Sequence, residues 1–99
     1  MNVEETIQWF NKKYEQERMW YERPHNFYCG ITNDLEIRKH QHNVDVLIAW
    51  VKCDSFNTAK LIEKYLHDGG YDTGKQLGNG QEDSIYVYMY RKIQGVTIE

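Results

Sequence analysis

The chain is poor in proline, poor in cysteine and free of long apolar runs, and each scarcity excludes something. Pro24 is the single proline, and no Pro-, Gly- or Ser-rich linker interrupts the sequence, so 99 residues read as one domain. Two cysteines, Cys29 and Cys53, cannot build a disulfide framework or a zinc site. Both fall in predicted strands, where they are expected as buried, reduced thiols of a cytoplasmic protein. No apolar stretch reaches the roughly eighteen residues that a membrane span needs. The acidic start Met1-Asn2-Val3-Glu4-Glu5 lacks the apolar core of a signal peptide. Positive charge is not in excess either. Twelve Lys and Arg against fifteen Asp and Glu give a net charge of −3, which counts against a nonspecific nucleic-acid binder. A local patch stays open, from Lys12, Lys13 and Arg18, extended by Arg91 and Lys92. Taken singly, each reads as solvated surface charge.

What is present is a hydrophobic content of 40%, with 14% aromatic residues, enough for one small core rich in Tyr and Trp. Residues 2 to about 18 carry Val3, Ile7, Phe10 and Tyr14 at helical spacing, opened by an Asn2/Glu5 capping box. Residues 19–23 and 27–31 read as a hairpin with its turn at Pro24, His25 and Asn26. A second helix, opened by Asn33 with Glu36 three later, runs to about His42. Residues 44–53 form a near-continuous apolar run that predicts a central strand. Asp54 or Ser55 caps a third helix, from Phe56 to about His67, which Gly69-Gly70 ends. A Gly-, Asn- and Asp-rich loop follows. Residues 84–93 then alternate cleanly, with Ile85, Val87 and Met89 on one face and Tyr86, Tyr88 and Tyr90 on the other. The expected class is α+β, a small antiparallel sheet flanked by helices in the order α-β-β-α-β-α-β. The tyrosine stripe would stack bases, form a dimer surface or face water on an edge strand.

The most informative stretch joins a strand to a helix: Phe27-Tyr28-Cys29-Gly30-Ile31-Thr32-Asn33-Asp34-Leu35-Glu36-Ile37-Arg38-Lys39-His40-Gln41-His42. Leu35, Arg38 and His42 share one helical stripe. If Leu35 anchors the helix, Arg38 and His42 face inward with it and line a polar pocket; otherwise His42 is a surface residue. Glu63 is the second feature. It falls at the edge of the buried arc formed by Phe56, Ala59, Ile62 and Leu66, where a carboxylate needs a partner or a cation. A pairing with Lys60 or His67 would satisfy it, and so would a metal ion. His25 and His40 read as surface residues.

The Tyr28-Cys29-Gly30 segment, followed by Arg38 eight residues after the glycine and His42 four further on, resembles the second half of the GIY-YIG nuclease motif. The close match covers about a sixth of the chain. The first-strand Gly-Ile-Tyr signature is absent. Met19-Trp20-Tyr21 stands near its place, so Tyr21 is the candidate equivalent, although only seven residues separate it from Tyr28. The helix at 2–18 is an addition to the minimal module. The resemblance implies catalytic roles for Tyr28, Arg38, His42 and Tyr21, and a metal-ligand role for Glu63, which occupies the position of the family's single helical glutamate. It gives Gly30 and Asn79 to substrate binding, with Asn79 equally readable as a plain loop residue.

The implied activity is metal-dependent hydrolysis of phosphodiester bonds in DNA, or RNA, with Mg²⁺ or Mn²⁺ as cofactor. Glu63 would hold the ion, Arg38 would donate to phosphate oxygens, and Tyr28 or Tyr21 would take the proton of the attacking water, with His42 able to hold it. A single carboxylate suits Mg²⁺, which keeps several waters and completes its shell from phosphate. The compact module would suit a phage or mobile-element protein. No membrane partner is expected, and a homodimer is plausible because one such site cuts one strand. The alternative is a lapsed relative that keeps the fold and binds nucleic acid, a nucleotide or a protein.

Overall fold

The computed structural model describes residues 2–74 and 82–99. Its elements run α1 (Val3–Glu17), β1 (Phe27–Thr32), α2 (Leu35–His42), β2 (Ala49–Lys52), α3 (Phe56–Asp68) and β3 (Tyr86–Arg91), with a single 3-10 turn at Pro24–Asn26. The three strands form an antiparallel sheet in the order β1-β3-β2. The class is therefore α+β, as the hydrophobic patterning requires. No described helix is long and apolar enough to cross a membrane.

Period-two alternation divides the sheet into two different faces. On one, the register pairs Cys29 with Met89, Ile31 with Val87, and Ala49 again with Met89. These residues pack under α1 and α3 with Phe10, Tyr14, Ala59, Ile62 and Leu66 in a continuous hydrophobic core. On the other face the register pairs Tyr28 with Tyr90, Gly30 with Tyr88 and Trp50 with Tyr88. There the covering material is α2 and residues 96–99.

Capping chemistry sets the helix limits. Asn2 and Glu5 form the reciprocal box at the start of α1. Asp34, not Asn33, caps α2 by accepting from the Ile37 amide; the Asn33 side chain donates instead to Asp83. Asn43, at φ 55°, ends α2 in the left-handed conformation, and the Val44 amide reaches back to the Lys39 carbonyl. Ser55 caps α3.

Two expected elements are corrected. Residues 19–23 are turn and irregular chain rather than a first strand. Glu22 is the reason. Its carboxylate accepts from the Met19 amide at 2.7 Å and takes two hydrogen bonds from Arg91, at 2.9 and 3.1 Å. Asn26 then closes the following turn by accepting from the Arg23 amide. A segment folded into two tight turns has no ladder to offer. The apolar run at 44–53 yields only the four residues of β2, and β2 lies at an edge rather than in the centre. Val46 is 74% exposed, so apolar character there does not mean burial. The central strand is β3, whose Val87, Tyr88, Met89 and Tyr90 are buried on both faces.

The open side of β1 is closed by a short parallel bridge. The Cys29 amide donates to the Asp72 carbonyl at 2.8 Å, and the Asp72 amide donates to the Phe27 carbonyl at 3.0 Å. Lys92 holds the Asp72 carboxylate at 2.9 Å. The bridge brings Gly74, at φ +78°, against the Tyr28 phenol. A Cβ on Gly74 would stand 3.1 Å from the Tyr28 hydroxyl.

Candidate active site

The site is built where β1 hands the chain to α2. Thr32, the buried last residue of β1, binds the Asp34 amide and carbonyl through its hydroxyl, which fixes the turn and aims α2 across the tyrosine face. The Leu35, Arg38, His42 stripe then points inward. Leu35 and Arg38 are half-buried, His42 is buried, and Ile37, on the opposite side, is exposed. The inward reading of this helix follows from Leu35, and the structure places it so.

His42 is the hub. Its ring centroid stands 5.0 Å from that of Tyr28, 5.9 Å from Tyr88 and 5.2 Å from Tyr90. The hydrogen bonds settle its tautomer. Nδ1 faces the Ile98 carbonyl oxygen, which only accepts, so Nδ1 carries a proton. Tyr90 Oη lies 3.1 Å from the same nitrogen and donates its own proton to Glu99 Oε2 at 2.8 Å. Nε2 lies 2.9 Å from Tyr88 Oη. In the neutral ring Nε2 is the acceptor, so the Tyr88 hydroxyl donates to it.

The ionisation preferences agree with a neutral resting cluster. Burial pushes the His42 imidazole below its ordinary value, and the Arg38 charge adds to the fall against the opposing pull of the Ile98 carbonyl and Glu99. Burial also drives the Tyr88 phenol well up, helped by Glu63 and opposed by Arg38. Tyr90 is raised by burial and then by Glu99. Tyr28 is raised by burial, with Asp72, Glu63 and Glu99 adding to it and Arg38 acting against them. At neutral pH the phenols keep their protons and the imidazole is uncharged.

Glu63 is 4% exposed, on the buried face of α3. Its charge raises Tyr28, Cys29 and Tyr88, whereas the charges that act on His42 are those of Arg38 and Glu99. Arg38 acts on Tyr28, His42 and Tyr88. Arg38 and Glu63 thus both act on the phenols of Tyr28 and Tyr88, although α3 covers the Cys29 and Met89 face of the sheet and α2 the tyrosine face. Arg38 makes no side-chain hydrogen bond or ion pair among the described residues.

The other expectations fare differently. Tyr21 is 63% exposed on its turn, with its ring set edge-on to Trp20 at 5.6 Å. The strand beside Tyr28 is β3, so the neighbouring phenols come from Tyr88 and Tyr90. Gly30 is buried beneath Tyr88: a Cβ there would meet the Tyr88 hydroxyl at 2.4 Å and Cζ at 2.7 Å. Its lack of a side chain makes room for that phenol. Asn79 lies outside the described residues. The tyrosine stripe is neither a stacking surface nor a wet edge at Tyr88 and Tyr90, which are 2% and 0% exposed. Sequence reasoning missed Tyr88, Tyr90, Ile98 and Glu99 as site residues. Alternation placed the two tyrosines on one face, but only the register with Gly30 and Tyr28 shows what that face meets.

No protein-family model matches the chain, and no curated protein or solved structure matches it.

Proposed function

We propose that the chain is a metal-dependent endonuclease of GIY-YIG type that hydrolyses phosphodiester bonds in DNA or RNA. The observation that carries this reading is the half-buried Arg38 guanidinium, which has no ion-pair partner among the described residues yet stands four residues before a neutral imidazole that accepts a hydrogen bond from a phenol. A fork of N–H donors next to a base is what an anionic ester and its attacking water need.

Phosphoryl hydrolysis then divides among these residues. Arg38 donates to the non-bridging phosphate oxygens and offsets the charge that builds on them. His42 is the proton acceptor, working through Tyr88. As water attacks phosphorus, its proton passes to Tyr88 Oη while Tyr88's own proton passes to Nε2, and the ester P–O bond opposite the water breaks, the departing oxygen taking a proton from solvent. One O–H bond breaks at the phenol and one forms, so no phenolate accumulates. That matters because burial holds the phenolate form out of reach. Tyr28 packs against the imidazole and shapes the approach to it. Tyr88 takes the role first expected of Tyr21.

Glu63 is the residue that would hold Mg²⁺ or Mn²⁺. Among the described residues no three His, Cys, Asp or Glu side chains group closely enough to hold an ion. A single carboxylate is compatible only with an ion that takes the rest of its shell from substrate phosphate and water. When bound, the ion supplies charge neutralisation at the scissile phosphate. The nucleic acid is the partner, in the cytoplasm, and two copies acting together would cut two strands.

A second reading is favoured by the 2% exposure of Tyr88. In it the cluster is structural, and the module binds nucleic acid, a nucleotide or a protein without cutting. The test is incubation of the purified chain with single-stranded, duplex and branched DNA and with RNA, in Mg²⁺ or EDTA. Metal-dependent cutting that disappears in Glu63→Ala and Tyr88→Phe is expected. Binding without cutting by folded protein refutes the nuclease reading.

A further inference from the structure

After β3 the chain turns back on itself. The Val96 and Thr97 amides both donate to the Ile93 carbonyl, and Thr97 Oγ1 accepts from the Ile93 amide. The turn delivers residues 96–99 to the C-terminal end of α2, where four separate bonds fasten them. Asn43 Nδ2 donates to the Val96 carbonyl at 2.8 Å. The Ile98 amide donates to the His42 carbonyl at 2.8 Å. His42 Nδ1 donates to the Ile98 carbonyl, and Tyr90 donates to Glu99. One of these bonds, from the Ile98 amide, serves the His42 carbonyl at the helix end, which needs a partner in any case, and the Asn43 bond serves the Val96 carbonyl of the returning chain. The other two act on the imidazole itself and on the phenol beside it, and α2 would be capped without them.

We propose that residues 96–99 are a positioning strap, which holds His42 in the Nδ1–H form and so reserves Nε2 as the acceptor for Tyr88. The deciding atom is the Ile98 carbonyl oxygen. A backbone carbonyl cannot donate, so it accepts one ring proton and fixes where that proton sits. Tyr90 cannot do this alone, because a hydroxyl can donate or accept. Its donation to Glu99 leaves it only an acceptor toward Nδ1, which reinforces the same choice. Without the strap the ring is free to take the Nε2–H form. In that form Nε2 would present a proton to Tyr88, and the proton path from the phenol would be closed.

The proposal rests on the nuclease reading only for its consequence in catalysis; the tautomer itself is measurable without any substrate. Two-bond ¹H–¹⁵N correlation spectra of labelled protein at about pH 8, above ordinary histidine titration, separate the two ring nitrogens. The His42 signals are assigned by their loss in His42→Gln. In the intact chain Nδ1 is expected protonated and Nε2 unprotonated. Removing residues 97–99 is expected to move the His42 signals toward the Nε2–H pattern. Ile98→Pro, which removes the amide that docks the strap, gives a second variant if the shortened chain does not fold. Ile98→Val should match the intact chain. An Nε2–H pattern in the intact protein overturns the proposal, and so does an unchanged Nδ1–H pattern in both disrupted variants.

In an active enzyme, Ile98→Pro should lower kcat about tenfold or more while KM stays put, since a wrongly protonated imidazole blocks proton transfer rather than substrate binding. A full kcat alongside a switched tautomer also overturns the positioning role. A chain with the expected tautomers that cuts no nucleic acid leaves the strap standing and refutes the nuclease reading instead.

Discussion

Gly30→Ala is the sharpest test of the site's construction. An added Cβ would lie 2.4 Å from Tyr88 Oη, 2.7 Å from Cζ and 3.1 Å from Cε1. The first two distances are shorter than any non-bonded contact the atoms can hold. Tyr88 is 2% exposed and bonded through its hydroxyl to His42, so its ring cannot swing aside without abandoning that bond. Overpacking of a buried site costs about 1–3 kcal/mol, and the lost hydrogen bond about 1 kcal/mol more. Replacing glycine within a strand returns about 0.5–1 kcal/mol. The net is a loss of about 2 kcal/mol, which lowers Tm by roughly 8–16 °C in a domain of this size. Urea denaturation and thermal melting followed by circular dichroism would measure it. Tyr88→Phe removes the 2.4 Å clash but leaves the one at Cζ, so it should rescue only in part. Tyr88→Leu removes both, and in that background Gly30→Ala should be close to neutral. An equal cost in the Tyr88 and Leu backgrounds, or no cost in either, would refute the assignment of Gly30 to phenol packing.

Three further outcomes follow from the same geometry. Arg38→Gln should leave stability within about 0.5 kcal/mol, because its side chain makes no hydrogen bond or ion pair among the described residues; under the proposed nuclease reading, cleavage should fall by about 10²–10³-fold, as for loss of one donor to a developing oxyanion. A large loss of stability in urea would show that Arg38 is structural. Stability should fall as pH drops below about 6.5, because His42 has a lowered value in the folded state and the unfolded chain binds the proton first. This contribution is complete above the ordinary histidine range and is lost toward the folded-state value, so melts of His42→Gln should lack that limb. Arg91→Met should destabilise by about 2 kcal/mol, since it strands the Glu22 carboxylate, whose side chain is 9% exposed; the figure is below that of a fully buried pair because Arg91 is 30% exposed. Burial alone would raise Glu22, but the Arg91 and Met19 hydrogen bonds and the charges of Arg91 and Arg18 bring it below its ordinary 4.5. Its stabilisation is therefore present above about pH 4.5 and lost on acidification below it, and the Arg91→Met melts should show that limb weakened.

The legible parts of this chain are those governed by local rules. The Asn2/Glu5 box, the Leu35, Arg38, His42 stripe, the buried edge position of Glu63 and the alternation of β3 each follow from residues within a few positions of one another. What was hidden depends on long-range pairing. Residues 19–23 carry strand-forming aromatics, yet Glu22 is claimed by Arg91, sixty-nine positions away, and the turn wins. The strand that then pairs with Tyr28 arrives from the other end of the sequence. That substitution moves the second phenol from Tyr21 to Tyr88, and nothing within the first thirty residues could reveal it. The apolar run at 44–53 misleads for a related reason. Hydrophobicity identifies a strand able to be central, while the central place goes to whichever strand finds partners on both sides.

The tyrosines explain why the second face needs α2 and the strap at all. Phenylalanine at 88 and 90 would fill nearly the same volume and could lie under any apolar cover. A buried hydroxyl needs an acceptor, and leaving one without a partner costs about 1–3 kcal/mol. Among the described residues no buried side-chain polar atom lacks a partner. Tyr88 is satisfied by His42, and Tyr90 by Glu99, with His42 Nδ1 between Tyr90 and the Ile98 carbonyl. The imidazole is thus held by both of its nitrogens, and each hold comes from a different segment. A cluster fixed in this way resists protonation at rest, yet it has one nitrogen whose lone pair points along an existing hydrogen bond to a phenol. For a structural cluster that directionality is incidental. For a hydrolase it is the feature that lets a neutral imidazole, rather than a costly phenolate, receive the proton of water.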